Sequence, residues 1–144
     1  GLLILFGGGL SLAAQISSSG LGIWIGNSLL ILSSVPPIIL ILAVATLIIF
    51  LTEITSNVTT TTTFLPVFGA LAIAIGILPV SLTVPVCLAA SCAFMLPVAT
   101  PPNAIVYGSN KFTIATMMRA GFALNIIGIF VVTIFAYYFA PLIF

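Results

Sequence analysis

Three prolines interrupt an apolar segment that would otherwise predict one continuous membrane helix. The segment runs from Val84 to Tyr107, and Pro97, Pro101 and Pro102 lie in its second half. A proline has no amide proton, so three carbonyls four residues earlier, the first at Ala93, lose their helical partners. An unsatisfied polar group in hydrocarbon costs several kcal/mol. We therefore expect ions, water or facing protein groups to bind at this break.

Charged side chains are almost absent from the chain. Its 144 residues are 62% hydrophobic, and Glu53, Lys111 and Arg119 are the only charged residues; there is no histidine. A soluble domain cannot cover its surface with so few charges, and a net charge of +1 leaves no basic patch for nucleic acid. The composition predicts an all-α integral membrane protein in contact with the lipid bilayer, with no nucleic-acid partner.

Apolar and polar stretches divide the chain into four segments. Residues 36–83 form either two full crossings or a re-entrant hairpin, which enters and leaves by one face of the membrane. The hairpin is favoured because two short apolar arms flank a polar tip at 52–63. The other segments are a partial transmembrane helix with an interfacial connector at 1–35, a broken transmembrane helix with a cytoplasmic connector at 84–119, and a last transmembrane helix at 120–144.

The two basic residues predict the orientation of the chain. Lys111 and Arg119 flank the connector that follows the broken helix. Cytoplasmic connectors carry an excess of lysine and arginine, so this connector is expected on the cytoplasmic side. The C-terminus would then be extracytoplasmic, in a plasma membrane or a bacterial inner membrane.

The polar tip of the hairpin offers hydrogen-bond donors and acceptors together. The first arm ends near Thr52 with free carbonyls, and Thr55 or Ser56 is placed to cap the second arm, leaving early amides free. Glu53 either carries a coupled proton or holds the tip through hydrogen bonds, and we favour the second because intramembrane acids need partners. For the threonines at 60–63 we favour packing and bonding to the preceding turn.

The proline break repeats this arrangement. Thr100 is a natural N-cap and Pro101 a natural first helical residue, so a new helix should start there with the amides of Asn103 and Ala104 free. The preceding helix is expected to end near Pro97 and to offer carbonyl oxygens. Partial charges at such helix termini can hold an anion beside a cation, and discontinuous helices mark the binding sites of secondary transporters.

The residue types in the two polar regions favour sodium as the cation. Hard cations prefer oxygen ligands, and the available oxygens belong to Thr52, Thr55, Asn57 and the carbonyl of Ala99. Neither region contains lysine or arginine, so amides, helix dipoles and the cation itself would balance the charge of a bound anion. Anion affinity would then depend on the cation, which is thermodynamic coupling.

Several motifs resemble one family of membrane transporters. The residues from Ser91 to Val106 resemble the signature of the divalent anion:sodium symporter family, the INDY-like di- and tricarboxylate transporters. Thr52 to Val58 resembles the second Ser-Asn-Thr motif of that family, and Leu5 to Gly9 resembles its glycine-rich helix. Met117 to Gly121, with Leu124-Asn125, resembles its last helix. The order and spacing agree over nearly the whole chain.

The resemblance implies a fold, a mechanism and a set of site residues. The fold would be an inverted repeat whose halves each carry a re-entrant hairpin and a broken helix, with this chain as most of the second half. The rest of the chain, including the N-terminal repeat, and a second copy in a homodimer would be its partners, and transport would follow an elevator mechanism. The implied sodium site is Thr52, Thr55, Asn57 and Ala99, and the implied substrate site is Ser56, Asn57, Val58, Thr100 and Pro101.

One departure from the family pattern concerns the substrate. Val58 stands where many members have threonine, which removes a hydroxyl that could contact a carboxylate. The main hypothesis is sodium-coupled symport of succinate-like or citrate-like anions. The alternatives are a sodium-independent carboxylate exchanger, a sulfate transporter of the same family and, less favoured, an anion channel. An enzyme is not expected, because neither polar region has a histidine, an acid pair or a serine–base arrangement.

Overall fold

The computed structural model describes residues 11, 15, 18, 19, 35–109, 111 and 113–143. Most of these residues lie in helices. None of these residues lies in a strand, which confirms the all-helical prediction. The predicted segment 1–35, with the motif from Leu5 to Gly9, lies almost wholly outside the described residues. The helices are α1 (Pro37–Thr52), α2 (Asn57–Ala74), α3 (Val80–Ala90), α4 (Pro101–Gly108), α5 (Ile114–Tyr138) and α6 (Ala140–Ile143).

The core forms where α3 packs against α1, α2 and α5. On α1 the side chains of Ile41, Ala45 and Ile48 are fully or almost fully buried. Their spacing of four and three residues puts them on one face of the helix. Leu82 and Val86 of α3, four residues apart, are buried in the same cluster. Apolar contacts between these faces hold the ends of α1 and α3 close together.

Helix α5 presents one face to the core and exposes the other. Asn125, Ile129 and Val132 are buried, whereas Phe130 and Val131 are more than half exposed. Among the described helices, α2 and α5 are long and apolar enough to cross a membrane, with mean hydropathies of 1.2 and 2.1. The exposed face of α5 therefore suits lipid or another apolar protein surface.

A glycine reverses the chain between α2 and α3. Gly76 has φ of 78°, in the left-handed region that favours glycine. Its amide bonds Ile73 O at 3.1 Å, and the amide of Ile77 bonds Ala72 O at 3.0 Å. This pair of bonds is the Schellman motif, which satisfies the last carbonyls of a helix. The chain then turns directly into α3.

Two helix boundaries differ from the sequence predictions. Helix α3 ends at Ala90, seven residues before Pro97, where the prediction placed its end. The reason is that side chains from the tip bind the backbone beyond Ala90, as described below. Helix α5 begins at Ile114, so Arg119 lies within a helix instead of at the end of the connector.

Candidate functional site

The link between α1 and α2 is short and is capped as the sequence predicted. Ser56 is the N-cap of α2, and its hydroxyl accepts a hydrogen bond of 3.1 Å from the amide of Thr59. The first two amides of α2, at Asn57 and Val58, have no acceptor within the helix. These amides are donors available to a ligand at the start of α2.

Thr52 and Glu53, which are neighbours in sequence, bind the two backbone groups that would bond each other if α3 continued. In a continued α3, the amide of Phe94 would bond the carbonyl of Ala90. Instead, the hydroxyl of Thr52 donates to Ala90 O at 2.9 Å, and the amide of Phe94 donates to Glu53 Oε1 at 2.8 Å. This exchange prevents α3 from continuing through Phe94.

The carboxylate of Glu53 is buried and accepts hydrogen bonds from four donors. The amides of Phe94, Met95 and Leu96 donate to it at distances between 2.8 and 3.1 Å, and the side-chain amide of Asn125 donates at 2.8 Å. Glu53 is only 3% exposed. The role favoured from the sequence, holding the tip through hydrogen bonds, is confirmed in its geometry.

Gly121 allows α5 to approach this loop closely. A Cβ atom added at Gly121 would overlap the backbone of Phe94 and Met95. One turn later, Asn125 is fully buried and reaches Glu53 with its Nδ2 atom, while its Oδ1 atom has no partner among the described residues. The tip, the loop and α5 therefore meet at one buried polar cluster.

The start of α4 confirms the predicted cap and corrects the predicted free amides. Thr100 is the N-cap, and its hydroxyl accepts a bond of 3.4 Å from the amide of Asn103. The amide of Ala104 bonds Thr100 O at 3.1 Å, so neither amide is free. Because Pro101 and Pro102 carry no amide proton, the first turn of α4 offers no unpaired backbone donor. What α4 offers an anion is the Thr100 hydroxyl and the positive end of its dipole.

The side chain of Asn103 supplies donors that Pro97 and its neighbours lack. Its Nδ2 atom donates to Ala93 O at 2.9 Å and to Leu96 O at 3.0 Å. Ala93 O is the carbonyl that a residue other than proline at position 97 would have bonded in a helix. A facing protein group therefore satisfies it, one of the possibilities that the sequence left open.

A cavity of about 640 Å³ lies between the start of α2 and the start of α4. It brings together all five residues of the predicted substrate site and two residues of the predicted sodium site, Asn57 and Ala99. No residue that lines it is charged among those the structure describes. The lining includes Ser56, Asn57, Val58, Ala99, Thr100 and Pro101, together with Asn103 and Phe94.

The remaining residues of the predicted sodium site lie beside the cavity and do not line it. Thr52 is fully buried, and its hydroxyl also contacts Asn57 Oδ1 at 2.9 Å. The hydroxyl of Thr55 donates to Leu51 O at 2.9 Å and pairs with the hydroxyl of Thr60. Asn57 thus connects Thr52 to the cavity, whereas the Thr55 side chain is bonded within the tip.

Helix C-termini and helix N-termini lie in different parts of this site. The C-terminal ends of α1 and α3 meet where the Thr52 hydroxyl contacts Ala90 O. The N-terminal ends of α2 and α4 face the cavity through Asn57 and Pro101. Helix C-termini favour cations and N-termini favour anions. The arrangement therefore suits a cation near Thr52 and an anion in the cavity.

Sequence reasoning missed Asn103 and Asn125 as side-chain partners, and for Thr60 it predicted only packing and bonding to the preceding turn. Asn125 could have been found, because an amide inside a long apolar helix needs a partner. The bonding predicted for the threonines is confirmed at three positions, where hydroxyls donate to the carbonyl four residues earlier. Thr60 additionally contacts Thr55, which no local pattern indicated.

The helical fold of the described residues and their exposed apolar surface are typical of a helical membrane protein. The whole chain, residues 1–144, matches the family model described as the sodium:sulfate symporter transmembrane region. The chain belongs to this family, and it is therefore related to transporters and not to enzymes. The family resemblance predicted from the motifs is confirmed.

Two curated relatives carry a more specific name. The chain is 47% identical over 141 residues to the sodium-dependent dicarboxylate transporter SdcS of Staphylococcus saprophyticus, covering 98% of this chain and 27% of the relative. It is 46% identical over 143 residues to the protein of the same name from Staphylococcus aureus strain MRSA252, covering 99% and 28%. The chain thus spans little more than a quarter of the length of these relatives.

Proposed function

We propose that this chain supplies part of the binding site of a sodium-coupled symporter for di- or tricarboxylate anions. The observation that carries the proposal is the single cavity shared by Ser56, Asn57, Val58, Thr100 and Pro101, the residues that the family resemblance implied for substrate. Two relatives named as sodium-dependent dicarboxylate transporters support the same substrate class.

A carboxylate would bind at the start of α2 without a basic side chain. The amides of Asn57 and Val58, the hydroxyls of Ser56 and Thr100 and the positive ends of two helices are the groups that face it. Hydrogen bonds from neutral donors and dipoles only partly balance the charge of a dianion. The anion therefore needs a neighbouring cation.

Sodium would occupy the region between Thr52 and Ala99, with Asn57 between the two. Its ligands would be oxygens of Thr52, Thr55, Asn57 and Ala99, in keeping with the oxygen preference of hard cations. Because Asn57 both contacts Thr52 and lines the cavity, sodium binding would order a residue that also faces the anion. This shared residue provides a physical basis for coupled binding.

The wider architecture follows from the same proposal. Helices α1 and α2 would form a re-entrant hairpin, and α3 and α4 the two parts of a broken transmembrane helix. An N-terminal repeat would complete the site from the opposite side, and the binding unit would move against a scaffold in an elevator cycle. The protein would lie in a plasma or bacterial inner membrane as a homodimer, with the C-terminus extracytoplasmic.

Uptake by the full-length protein in proteoliposomes tests the proposal. Succinate uptake should require an inward sodium gradient, and Asn57→Ala should raise both the succinate KM and the sodium concentration for half-maximal uptake. Thr62→Ala is the matched control, because Thr62 bonds its own helix and does not line the cavity. Succinate uptake that is indifferent to sodium, or unchanged in Asn57→Ala, would contradict symport at this site.

Two other transport functions give different results in the same assay. A carboxylate exchanger would require internal substrate and would ignore sodium removal. Sulfate transport is favoured by the description of the matching family model. Sulfate would then be taken up itself and would inhibit succinate uptake at similar concentrations. An anion channel would show unitary conductance.

A further inference from the structure

We propose that Asn103 is a positioning residue that holds the break between α3 and α4 in the geometry needed for ligand binding. Its two hydrogen bonds, to Ala93 O and Leu96 O, connect α4 to the non-helical loop before it. The proposal rests on the proposed function, because it concerns how the same cavity reaches its binding geometry.

The chemistry of the loop explains why an asparagine side chain is suited to this position. Pro97 cannot donate to Ala93 O, and the carbonyl of Leu96 bonds only the amide of Ala99, at 3.2 Å, among the backbone donors of the described residues. A side-chain amide has two donor hydrogens on one nitrogen, so it can satisfy two carbonyls at once. Leucine and an ionised aspartate, which have similar size, have no donor to offer.

The hydrogen bonds of Asn103 flank the segment that faces the proposed ligands. The side chain of Asn103 bonds Leu96 O, and its backbone amide bonds the hydroxyl of Thr100. Ala99 lies between Leu96 and Thr100 in sequence, and Ala99 and Thr100 both line the cavity. Asn103 thus fixes the segment that holds one proposed sodium ligand and one proposed substrate contact.

The same loop is held from its other side by Glu53. Glu53 binds the amides of Phe94, Met95 and Leu96, whereas Asn103 binds carbonyls of Ala93 and Leu96. A shift of the tip on sodium binding would therefore reach the segment at Ala99 and Thr100 through this loop. Loss of Asn103 should weaken that connection more than it weakens the fold.

The test uses initial rates of succinate uptake by the full-length protein in proteoliposomes. Asn103→Leu and Asn103→Asp remove both donors, and each should raise the succinate KM at saturating sodium by about tenfold, with a smaller change in maximal rate per folded protein. Asn103→Gln keeps the donors on a longer side chain and should recover part of the loss. Ile105→Ala, on the same helix but 75% exposed and outside the cavity lining, should leave KM within about twofold.

Three outcomes separate the possible explanations. A wild-type KM and sodium dependence in correctly folded Asn103→Leu would overturn the positioning role and leave the proposed function intact. If the leucine and aspartate variants do not fold, Asn103→Ser decides, because serine is too short to reach both carbonyls. A wild-type KM in Asn103→Ser overturns the proposal, and a raised KM that Asn103→Gln partly restores supports it. Absence of sodium-dependent uptake by the wild-type protein would overturn both proposals.

Discussion

Glu53 accepts a hydrogen bond of 2.8 Å from the side-chain amide of Asn125, although 72 residues separate the two in sequence. The contact joins the link after α1 to the middle of α5. It also completes the set of donors around a buried carboxylate, whose other partners are amides of the loop after α3. Three distant parts of the chain are thereby held at one side chain.

Replacement of Glu53 by glutamine should destabilise the protein. Glutamine has nearly the same shape, but its NH₂ group would face backbone amides that need an acceptor. Buried donors left without partners cost about 1–3 kcal/mol each, so we expect a loss of about 3 kcal/mol. A lower Tm of the purified full-length protein in detergent would show this, with Lys111→Gln as a control that should not change the Tm. An unchanged Tm in Glu53→Gln would mean that the network contributes little to stability.

Gly121→Ala should destabilise the protein, whereas Gly128→Ala should not. The added methyl group at Gly121 would overlap backbone atoms of Phe94 and Met95, whereas at Gly128 the nearest atom would be 3.7 Å away. Overpacking against rigid backbone costs about 1–3 kcal/mol, and Gly→Ala in an open helical position gains up to about 1 kcal/mol. Thermal unfolding of both variants measures the difference. Equal Tm values would contradict the close approach of α5 to the loop.

Thr60→Val should weaken the tip more than Thr62→Val. Both hydroxyls bond the preceding turn, but that of Thr60 is buried and also contacts Thr55. Loss of a buried hydrogen bond costs about 1 kcal/mol, and Thr55 would lose its orientation. We therefore expect a higher half-saturating sodium concentration in Thr60→Val and a wild-type value in Thr62→Val. Identical sodium dependence in both variants would argue against a role for the Thr55–Thr60 contact.

Gly76→Ala tests the turn between α2 and α3. Alanine in the left-handed conformation at position 76 should cost about 1–2 kcal/mol. Gly108→Ala, at the end of α4 with open space around it and no left-handed backbone, should be neutral or slightly stabilising. The comparison of Tm values separates conformational strain from a general effect of adding a methyl group. A neutral Gly76→Ala would show that the turn relaxes without strain.

The caps of α2 and α4 were predictable from sequence because capping is local. A serine or threonine hydroxyl reaches an amide three residues later, so Ser56 and Thr100 carry the signal in their own neighbourhoods. The placement of these two caps beside one cavity was suggested by the family resemblance. Helix polarity then indicated which ligand each end would favour.

The bonds made by Glu53 and Asn103 could not be predicted in this way. Their partners are loop backbone groups, and backbone groups have the same chemistry at every residue. Only the packing of α1, α3 and α5 selects which amides face Glu53. The early end of α3 was missed for the same reason, since the proline pattern pointed to Pro97 while the side chains of Thr52 and Glu53 act at Ala90 and Phe94.

The exchange at Ala90 and Phe94 constrains how the tip and the broken segment can separate. If Thr52 and Glu53 withdrew, the freed carbonyl and amide would be four residues apart, at the spacing of a helical bond. They could then pair with each other by winding α3 one turn further, which would shorten the loop that leads to Ala99 and Thr100. Separation of the tip from the broken segment would therefore lengthen α3. Circular dichroism or site-directed spin labels along α3 could measure this change in helix length directly.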